Sequence, residues 1–573
     1  MGAQPATAAS PTRPERPPLP RRGSQDRIRR RPGAPPWGLT AAAVGVAVWL
    51  LVDPRTPDLA AQVYRANLFR AVGWTVWDGR WYGGHTIPGY SLVFPPLAAW
   101  LGVRAVGALA VLASAAVFER LARGVFGAGA ARWGAVWFAL AALGDVWSGR
   151  VTFALGVSFA MFAVAACVRA RTCMRARPRT AVAAGAWTAA AVALAAVCAA
   201  CSPVAGVLLG LAGVTYALVE RSPRSVLVLG LAPALVVGAL AGLFSEGGWE
   251  PYPLLSFLAT AAVMIGFLAA LPPGRTLLRV GGALYLLACV ACVAVHTPMG
   301  ANVERYGVLL AGPLLLCALL APGAARPRLG RVVGVAALLG IAVWTVWGPV
   351  RETLAVAGNA SSSAGYYEPV ERFVAAHGGD LVRIEVPFTR GHWEAAWLAA
   401  KVSLARGWEK QLDERYNGVL LHPGLTAVAY RHWLDEQAVS YVALPDAPLD
   451  PSSAGEGALI RSGLPYLHLV QRTRHWRIYR VLGAMPLASG PGALTALGHD
   501  WFALRARAAG RFVVRVHYTR YWAVTRGAAC VSPTPAGWTE VRVARAGAVR
   551  VATSFSLGRA LGLGGGCRLG ASG

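Results

Sequence analysis

The polar stretch from Asp53 to Pro96 holds the residues best suited to chemistry. It is the longest polar interruption between apolar segments in the first 350 residues, and it is dense in acids, arginines and aromatic rings. A short helix beginning at Asp58 would place Gln62 and Arg65 on the same face, at i+4 and i+7. A carboxylate there can take a proton from a hydroxyl group, and a neighbouring guanidinium can bind a phosphate group. The stretch therefore combines a candidate general base with a candidate anion-binding group.

The second half of this stretch is rich in rings and hydrogen-bonding groups. Sugars are commonly held by aromatic faces and polar side chains, so the candidate sugar or acceptor contacts are Trp77, Trp81, Tyr82 and His85, with Glu246 from a later loop. Asp78, within the same run, is a second candidate base. The alternative is that Asp58 and Asp78 cap helices or pair with nearby arginines, as most loop aspartates do.

The composition predicts that the chain with these groups is a membrane protein. The 573-residue chain is 55% hydrophobic and 14% charged, with a mean hydropathy of +0.47, which excludes an ordinary soluble globular protein. Apolar runs between residues 37 and 350 match the length of membrane-crossing helices, which predicts an α-helical polytopic domain of about eleven spans. The net charge of +28 falls largely in short loops. The positive-inside rule accounts for that charge, so we expect no nucleic-acid partner.

The loops between the apolar runs alternate between arginine-rich and arginine-poor. This alternation predicts a multi-pass protein with a cytoplasmic N-terminus, and an odd number of spans puts the C-terminal region outside. The heavy use of Arg, Ala and Gly is typical of a GC-rich bacterial genome, so the expected location is a bacterial plasma membrane. Residues 1–36 lack apolar periodicity and should form a disordered basic cytoplasmic tail.

The region after residue 350 has the composition of a soluble domain. Its patterns predict an extracytoplasmic α/β subdomain at 351–485 and a β-rich sandwich at 486–573, which follow the transmembrane domain of 37–350 and its large outer loop of 53–96. Cys530 and Cys567 stand apart from the membrane cysteines. Outside the cytoplasm they would be a natural disulfide pair, and the alternative is two free thiols.

The layout resembles the GT-C superfamily of membrane glycosyltransferases, which use polyprenyl-phosphate-linked sugars. In that family a large outer loop with a catalytic acid follows an N-in first helix, ten or so spans come next, and an outer domain ends the chain. The segments that carry the resemblance are Asp58-Leu-Ala, Trp81-Tyr-Gly-Gly, Phe94-Pro-Pro-Leu, Ser148–Gly156, Phe244–Gly248 and Pro298–Arg305. The resemblance covers residues 37–350.

The resemblance implies an inverting sugar transfer from a polyprenyl-phosphate donor to a cell-envelope glycan or glycolipid at the bilayer surface. Asp58 would be the base, with Asp78 in reserve and Asp53 third. The departing phosphate needs positive charge, for which the outward arginines are Arg65, Arg80, Arg150 and Arg305. The first loop has no Asp-X-Asp pair, which leaves a requirement for a divalent cation open.

Two other functions fit the same composition. A transporter would place charged residues within its spans near the midplane, whereas the spans here are almost free of charge and the ionisable residues collect at the outer face. A non-catalytic envelope scaffold on a GT-C-like fold is compatible with every pattern above. The enzyme is the favoured interpretation.

Overall fold

The computed structural model describes Gly2, residues 36–176, 181–323 and 328–563, and Cys567. The predicted basic tail of 1–36 lies almost wholly outside these residues and stays a prediction. Helices dominate the first 356 residues: α1 (Trp37–Val52), α2 (Pro57–Val72), α3 (Phe94–Leu101), α4 (Val103–Phe126), α5 (Ala128–Trp147), α6 (Val151–Ala176), α7 (Ala181–Cys201), α8 (Pro203–Glu220), α9 (Pro223–Val226), α10 (Ala232–Leu243), α11 (Leu254–Ala270), α12 (Thr276–Ala294), α13 (Glu304–Leu320) and α14 (Arg328–Val356). A short two-stranded ribbon, β1 (Trp77–Asp78) and β2 (His85–Thr86), interrupts them.

The predicted helical membrane domain is confirmed. Every predicted apolar segment is helical, and among the described residues eight helices are long and apolar enough to cross a membrane, or nine if α1 and α2 count as one bent span. Three of the eleven predicted spans fall short of this criterion. α1 and α11 have only 16 and 17 residues, and α5 falls short in hydropathy.

The chain changes direction sharply between α1 and α2, which bend by 82°. Asp53 ends α1 in the left-handed conformation, at φ 45°. Pro57 then opens α2, because a proline in the first helical turn removes no hydrogen bond that the helix needs. Asp58 follows in the first turn, where the helix dipole favours a negative charge. The bend therefore presents Asp58 at the start of a new helix.

The outer region begins with a mixed five-stranded sheet. Its strands are β3 (Arg383–Glu385), β4 (Ser403–Leu404), β5 (Val439–Pro445), β6 (Leu467–Arg472) and β7 (Trp476–Val481), in the order β4-β3-β5-β7-β6. β3 is parallel to β4 and β5, and the other pairs are antiparallel. The helices of this part are α15 (Glu368–Ala376), α16 (Glu394–Trp397), α17 (Lys410–Leu421), α18 (Ala427–Glu436) and α19 (Ala454–Arg461).

A β-sandwich follows. Its strands are β8 (Ala488–Ser489), β9 (Gly492–Leu497), β10 (Trp501–Ala506), β11 (Gly510–His517), β12 (Trp522–Arg526), β13 (Ala529–Pro533), β14 (Trp538–Val543) and β15 (Gly547–Thr553), before the short α20 (Leu557–Ala560). They form two antiparallel sheets, β12-β15-β10-β9 and β13-β14-β11-β8. Alternating residues such as Phe502, Phe512 and Val551 are fully buried between them. Cys530 and Cys567 form the predicted disulfide, with their Cα atoms 5.1 Å apart.

The first outer loop is held between the two parts of the outer region. Leu404 N donates to Arg80 O at 2.8 Å, on the side of the mixed sheet. Gly79 N donates to His499 O at 2.6 Å, and His517 N donates to Gly83 O at 2.8 Å, on the side of the sandwich. The loop and the C-terminal region therefore lie on the same side of the membrane helices.

Candidate functional site

The first turn of α2 packs directly on the turn between α5 and α6. The Thr56 hydroxyl donates to Trp147 O at 2.7 Å. Gly149 has φ +84°, and a Cβ added there would stand 2.2 Å from the backbone nitrogen of Leu59, so this close approach requires glycine. The contact brings Arg150 to Asp58, with 3.4 Å between Nε and Oδ2.

Arg150 is shared between two acids. Its Nη2 lies 3.1 Å from Glu352 Oε1, near the end of α14. Burial would lower the pKa of Arg150, but the carboxylates of Glu352, Asp58 and Asp145 outweigh it and raise that pKa. The side chains of Asp58, Arg150 and Glu352 remain 34%, 27% and 19% exposed. The group is therefore charged, ordered and reachable from solvent.

Arg305 completes this cluster from the start of α13. It lies within electrostatic range of Asp58, Arg150 and Asp145, and its guanidinium carbon stands 5.4 Å from the centre of the Phe153 ring. Among the described residues no hydrogen bond or ion pair engages Arg305. The cluster of Asp58, Arg150, Arg305 and Glu352 thus contains one guanidinium that is available to a ligand.

Two further acids lie on the loop between α10 and α11, and one of them, Glu250, borders the cluster. Burial raises the pKa of Glu250 to about 7; the Arg305 charge opposes this shift and Asp58 adds to it. Burial also raises the pKa of Glu246 to about 7, against hydrogen bonds from Thr86. Glu246 accepts from Thr86 N and from the Tyr416 hydroxyl, the latter at 3.2 Å. Near neutral pH each acid can donate as well as accept a hydrogen bond.

Asp78 occupies a different environment from Asp58. It is fully buried and accepts from the Tyr64 hydroxyl at 2.7 Å and from Arg80 N at 3.2 Å, while His499 Nδ1 lies 3.0 Å away. Burial alone would raise the pKa of Asp78, but the His499 hydrogen bond and the nearby His85 hold it below its usual value. Asp78 is therefore a structural anion that joins the first loop to the sandwich.

We expect Asp78→Ala to lower the free energy of unfolding by about 3 kcal/mol, because it leaves buried donors without an acceptor. The measurement is thermal unfolding of the purified chain in detergent. Glu368→Ala is the matched control, since its partner Arg372 and Glu368 itself are both largely exposed and such pairs contribute at most about 1 kcal/mol. Equal stability of the two variants would contradict the structural role of Asp78.

Arg65 and Arg80 lie with acids of the outer region. Arg65 Nη2 is 2.6 Å from Glu409 Oε2, and the guanidinium lies over the Tyr90 ring at 3.6 Å. Arg80 Nη1 is 2.8 Å from Asp380 Oδ1. The structure therefore brings only two of the four candidate arginines, Arg150 and Arg305, beside Asp58.

The candidate sugar-binding rings are part of the packed core. Trp81 stacks between Tyr64 at 4.4 Å and His85 at 5.5 Å. Tyr82 donates its hydroxyl to Glu409 O at 3.1 Å, and Trp77 packs against Trp522 at 5.7 Å. Because all four rings are buried, none offers an open face to a sugar.

His85 also differs from a free interfacial histidine. Burial lowers its pKa, with the Asp78 and Glu409 charges acting in the opposite direction, and its Nδ1 has no partner among the described residues. His296, on a later outward loop, stacks on Trp249 at 4.1 Å. Of the five predicted sugar or acceptor contacts, only Glu246 retains a partly exposed side chain.

An apolar groove runs along the other end of α2. It has a volume of about 540 Å³ and is lined by Phe69, Arg70, Pro96, Leu97, Ala99 and Trp100. Arg70 Nε donates to Ala99 O at 2.9 Å, which ties α2 to the short helix α3. Trp100 is 87% exposed, as expected for a ring at a membrane surface. The groove therefore offers apolar surface on the same helix that carries Asp58 in its first turn.

Glu352 is the functional candidate that the sequence patterns did not indicate. In the sequence, Glu352 follows a long apolar run and has the position of a polar residue at the end of the last span. In the structure, α14 continues to Val356. The only local signal is the Arg351-Glu352 pair at that end. Within the described residues, no group of three or more His, Cys, Asp or Glu is arranged to hold a metal ion.

Comparison with known proteins gives a limited result. No protein-family model and no curated protein matches the sequence. The fold is similar to the cryo-EM structure of the arabinofuranosyltransferase AftD from mycobacteria, at 14% identity and a TM-score of 0.47 over 91% of this chain and 57% of AftD. A mutant form of AftD gives the same identity and TM-score over 90% of this chain and 60% of the other. The chain thus spans about three fifths of the length of the AftD structures.

Proposed function

We propose that the chain is a membrane glycosyltransferase that moves a sugar from a polyprenyl-phosphate donor to a cell-envelope glycan or glycolipid on the outer side of the plasma membrane. The observation that carries this proposal is the cluster of Asp58, Arg150, Arg305 and Glu352. It combines an accessible carboxylate with two guanidinium cations, one of which has no hydrogen bond or ion pair among the described residues. Such a transfer needs a general base and a group that binds the departing phosphate.

In the proposed reaction Asp58 accepts the proton of an acceptor hydroxyl as that oxygen attacks C1 of the donor sugar. The new bond forms between the acceptor oxygen and C1, while the bond from C1 to the phosphate oxygen breaks and its electron pair leaves with the lipid phosphate. Attack from the face opposite the phosphate inverts the configuration at C1. Arg305 and Arg150 stabilise the negative charge that grows on the leaving phosphate.

Glu352 and Arg150 position the base in this account. Arg150 contacts Asp58 at 3.4 Å and Glu352 at 3.1 Å, so the guanidinium cannot turn away without losing one acid. The apolar groove beside α3 is proposed to take part of the lipid chain, because it lies on the same helix as Asp58. Glu246 and Glu250 are proposed acceptor contacts, since both are partly exposed carboxyls on the loop between α10 and α11 and Glu250 borders the cluster.

The proposal is tested with the purified full chain in lipid nanodiscs. A radiolabelled sugar on polyprenyl phosphate should pass to an envelope glycan extract, whereas the same sugar on a nucleoside diphosphate should not. Transfer from the nucleotide donor alone would contradict the lipid-linked donor. No transfer from either donor, combined with solute uptake by proteoliposomes, would instead favour a transporter.

The two raised carboxyl pKa values predict a pH effect on stability. A carboxyl whose pKa rises on folding, here from 4.5 to about 7 for Glu246 and Glu250, destabilises the fold once the pH exceeds 4.5. The melting temperature of the wild type should therefore fall between pH 5 and pH 8. The double variant E246Q/E250Q should show a smaller fall in thermal scans, because neither amide titrates. An identical pH profile for both proteins would contradict the raised pKa values.

A further inference from the structure

Positive charge is shared unevenly between the two parts of the outer region. Residues 351–486 hold fourteen Lys or Arg and fourteen Asp or Glu, whereas residues 487–563 hold ten arginines and only two acids, Asp500 and Glu540. The positive-inside rule explains charge in short loops between spans, which this sandwich is not. The excess of arginine on the sandwich therefore requires another explanation.

The two acids neutralise only part of this charge. Glu540 forms ion pairs with Arg511 and Arg542. Asp500 accepts the Thr75 hydroxyl at 3.4 Å, in the first outer loop. Three exposed arginines, Arg505, Arg526 and Arg550, form no ion pair with any residue in the described part of the chain. Their charges remain uncompensated by the protein.

These three arginines share one face of the sheet β12-β15-β10-β9. Arg526 stands directly opposite Arg550 across β12 and β15. Arg550 is opposite Ala503 in β10, and Arg505 lies two residues further along that strand. Directly opposite side chains are about 5 Å apart and diagonal neighbours about 7–8 Å apart, and opposed like charges are destabilising. The face therefore carries a repulsion that an anionic ligand would relieve.

The rest of this face is flat. The guanidinium carbon of Arg550 stands 3.9 Å from the centre of the Trp501 ring, which holds both groups in place. The other outward side chains at the paired positions are small: Ala503, Ala523, Ala548 and Ala552. A flat strip with one ring and three cations suits an extended polymer better than a peptide, whose side chains need pockets.

The strip begins beside the first outer loop. Trp501 follows the β9–β10 turn, and that turn contacts the first outer loop through Gly79 N and His499 O at 2.6 Å. The sandwich touches a span at the Tyr521 hydroxyl, which donates to Leu243 O at 2.6 Å. Arg526 lies five residues further along the chain, about 16 Å from Tyr521 in an extended strand.

We propose that the arginine face, defined as Trp501, Arg505, Arg526 and Arg550, binds an anionic polysaccharide. The chain of this polymer would run from the far end of β10 toward the first outer loop. The role of this polymer as the acceptor rests on the proposed transferase function, whereas its binding to the arginine face does not. The anionic groups that fit the arginines are carboxylates or phosphodiesters of a glycan.

The test measures binding of the full chain in nanodiscs to three polymers of equal length: carboxymethyl dextran, phosphorylated dextran and neutral dextran. We expect binding of one or both anionic polymers, weakened at high salt, and none of the neutral one. The preferred anionic polymer identifies carboxylate or phosphate as the recognised group. The triple variant R505A/R526A/R550A should lose at least tenfold in affinity.

The matched control is R472A/R477A/R480A on the β6–β7 hairpin, where Arg472 and Arg477 also oppose one another across two strands. This control should bind within about twofold of the wild type, and neither triple variant should melt below the wild-type temperature. Equal loss in both variants, or equally tight binding of poly-glutamate, would overturn the proposal. Asp58→Asn should bind the polymer normally, so a failed transferase assay leaves this test intact.

Discussion

Replacement of Asp58 by asparagine is expected to reduce sugar transfer by about 10²–10⁴-fold, the usual contribution of a general base. Asparagine keeps the size of the side chain and can still contact Arg150, but it cannot accept the acceptor proton. The loss should appear mainly in kcat, with the melting temperature almost unchanged, because Asp58 is partly exposed and its ion pair with Arg150 is long. Steady-state transfer in nanodiscs and thermal unfolding measure the two effects.

Asp53→Asn is the control for this experiment. Asp53 is the other acid at the start of the loop, but it pairs with Arg104 and Arg55 and is 51% exposed. We expect its replacement to change kcat by less than about threefold. Full activity in Asp58→Asn together with loss of activity in Asp53→Asn would move the base to Asp53 and contradict the assignment made here.

Removal of the free guanidinium by Arg305→Gln should lower transfer by about 10²–10³-fold, the cost of losing one donor to a developing oxyanion. The effect should fall on kcat more than on KM, since charge on the phosphate grows only as the bond to C1 breaks. Arg305→Lys should recover part of the rate, because it restores the charge without the planar pair of donors.

Arg55→Gln is the matched control for Arg305. Arg55 is also an outward arginine, but it contacts Asp53 at 3.5 Å and donates to Ser362 O at 3.0 Å, away from the cluster. Its replacement should leave kcat within about threefold of the wild type. A large change in KM alone for Arg305→Gln would show that Arg305 only binds the donor in the ground state. That result would contradict its role in stabilising the leaving phosphate.

The sequence patterns predicted the architecture of the chain well. Long apolar runs can only be helices in lipid, so each predicted apolar segment became a helix. The β-rich region of 486–573 followed from alternation of apolar and polar residues. The disulfide followed from compartment chemistry.

Other elements were hidden by local composition. The β9–β10 hairpin, residues 492–506, is rich in alanine and leucine and would suit a helix by propensity. The burial of Leu497, Phe502 and Leu504 in the sandwich decides the outcome. The small-residue segment 357–366 has the composition of a linker, yet it forms two 3₁₀ turns. The hydroxyl of Tyr367, just after them, donates to Ser361 O at 2.7 Å.

The site could be predicted only in part for a related reason. Sequence reasoning places Asp58, Arg150 and Arg305 on outward turns, but it cannot distinguish an accessible side chain from a buried one. Asp78 and Arg65 come from the same loop as Asp58, yet three-dimensional packing makes them buried partners of Tyr64 and Glu409. Likewise, the sequence does not show that Glu352 contacts Arg150, because the two residues are 202 positions apart.

The most direct test of the catalytic cluster is a cryo-EM structure of the full chain with a non-transferable polyprenyl-phosphonate sugar. The account predicts that the phosphonate oxygens lie about 3 Å from the guanidinium groups of Arg305 and Arg150, with C1 of the sugar facing Asp58. A donor bound beside Arg65 and Arg80, or on the far side of the membrane helices, would contradict it.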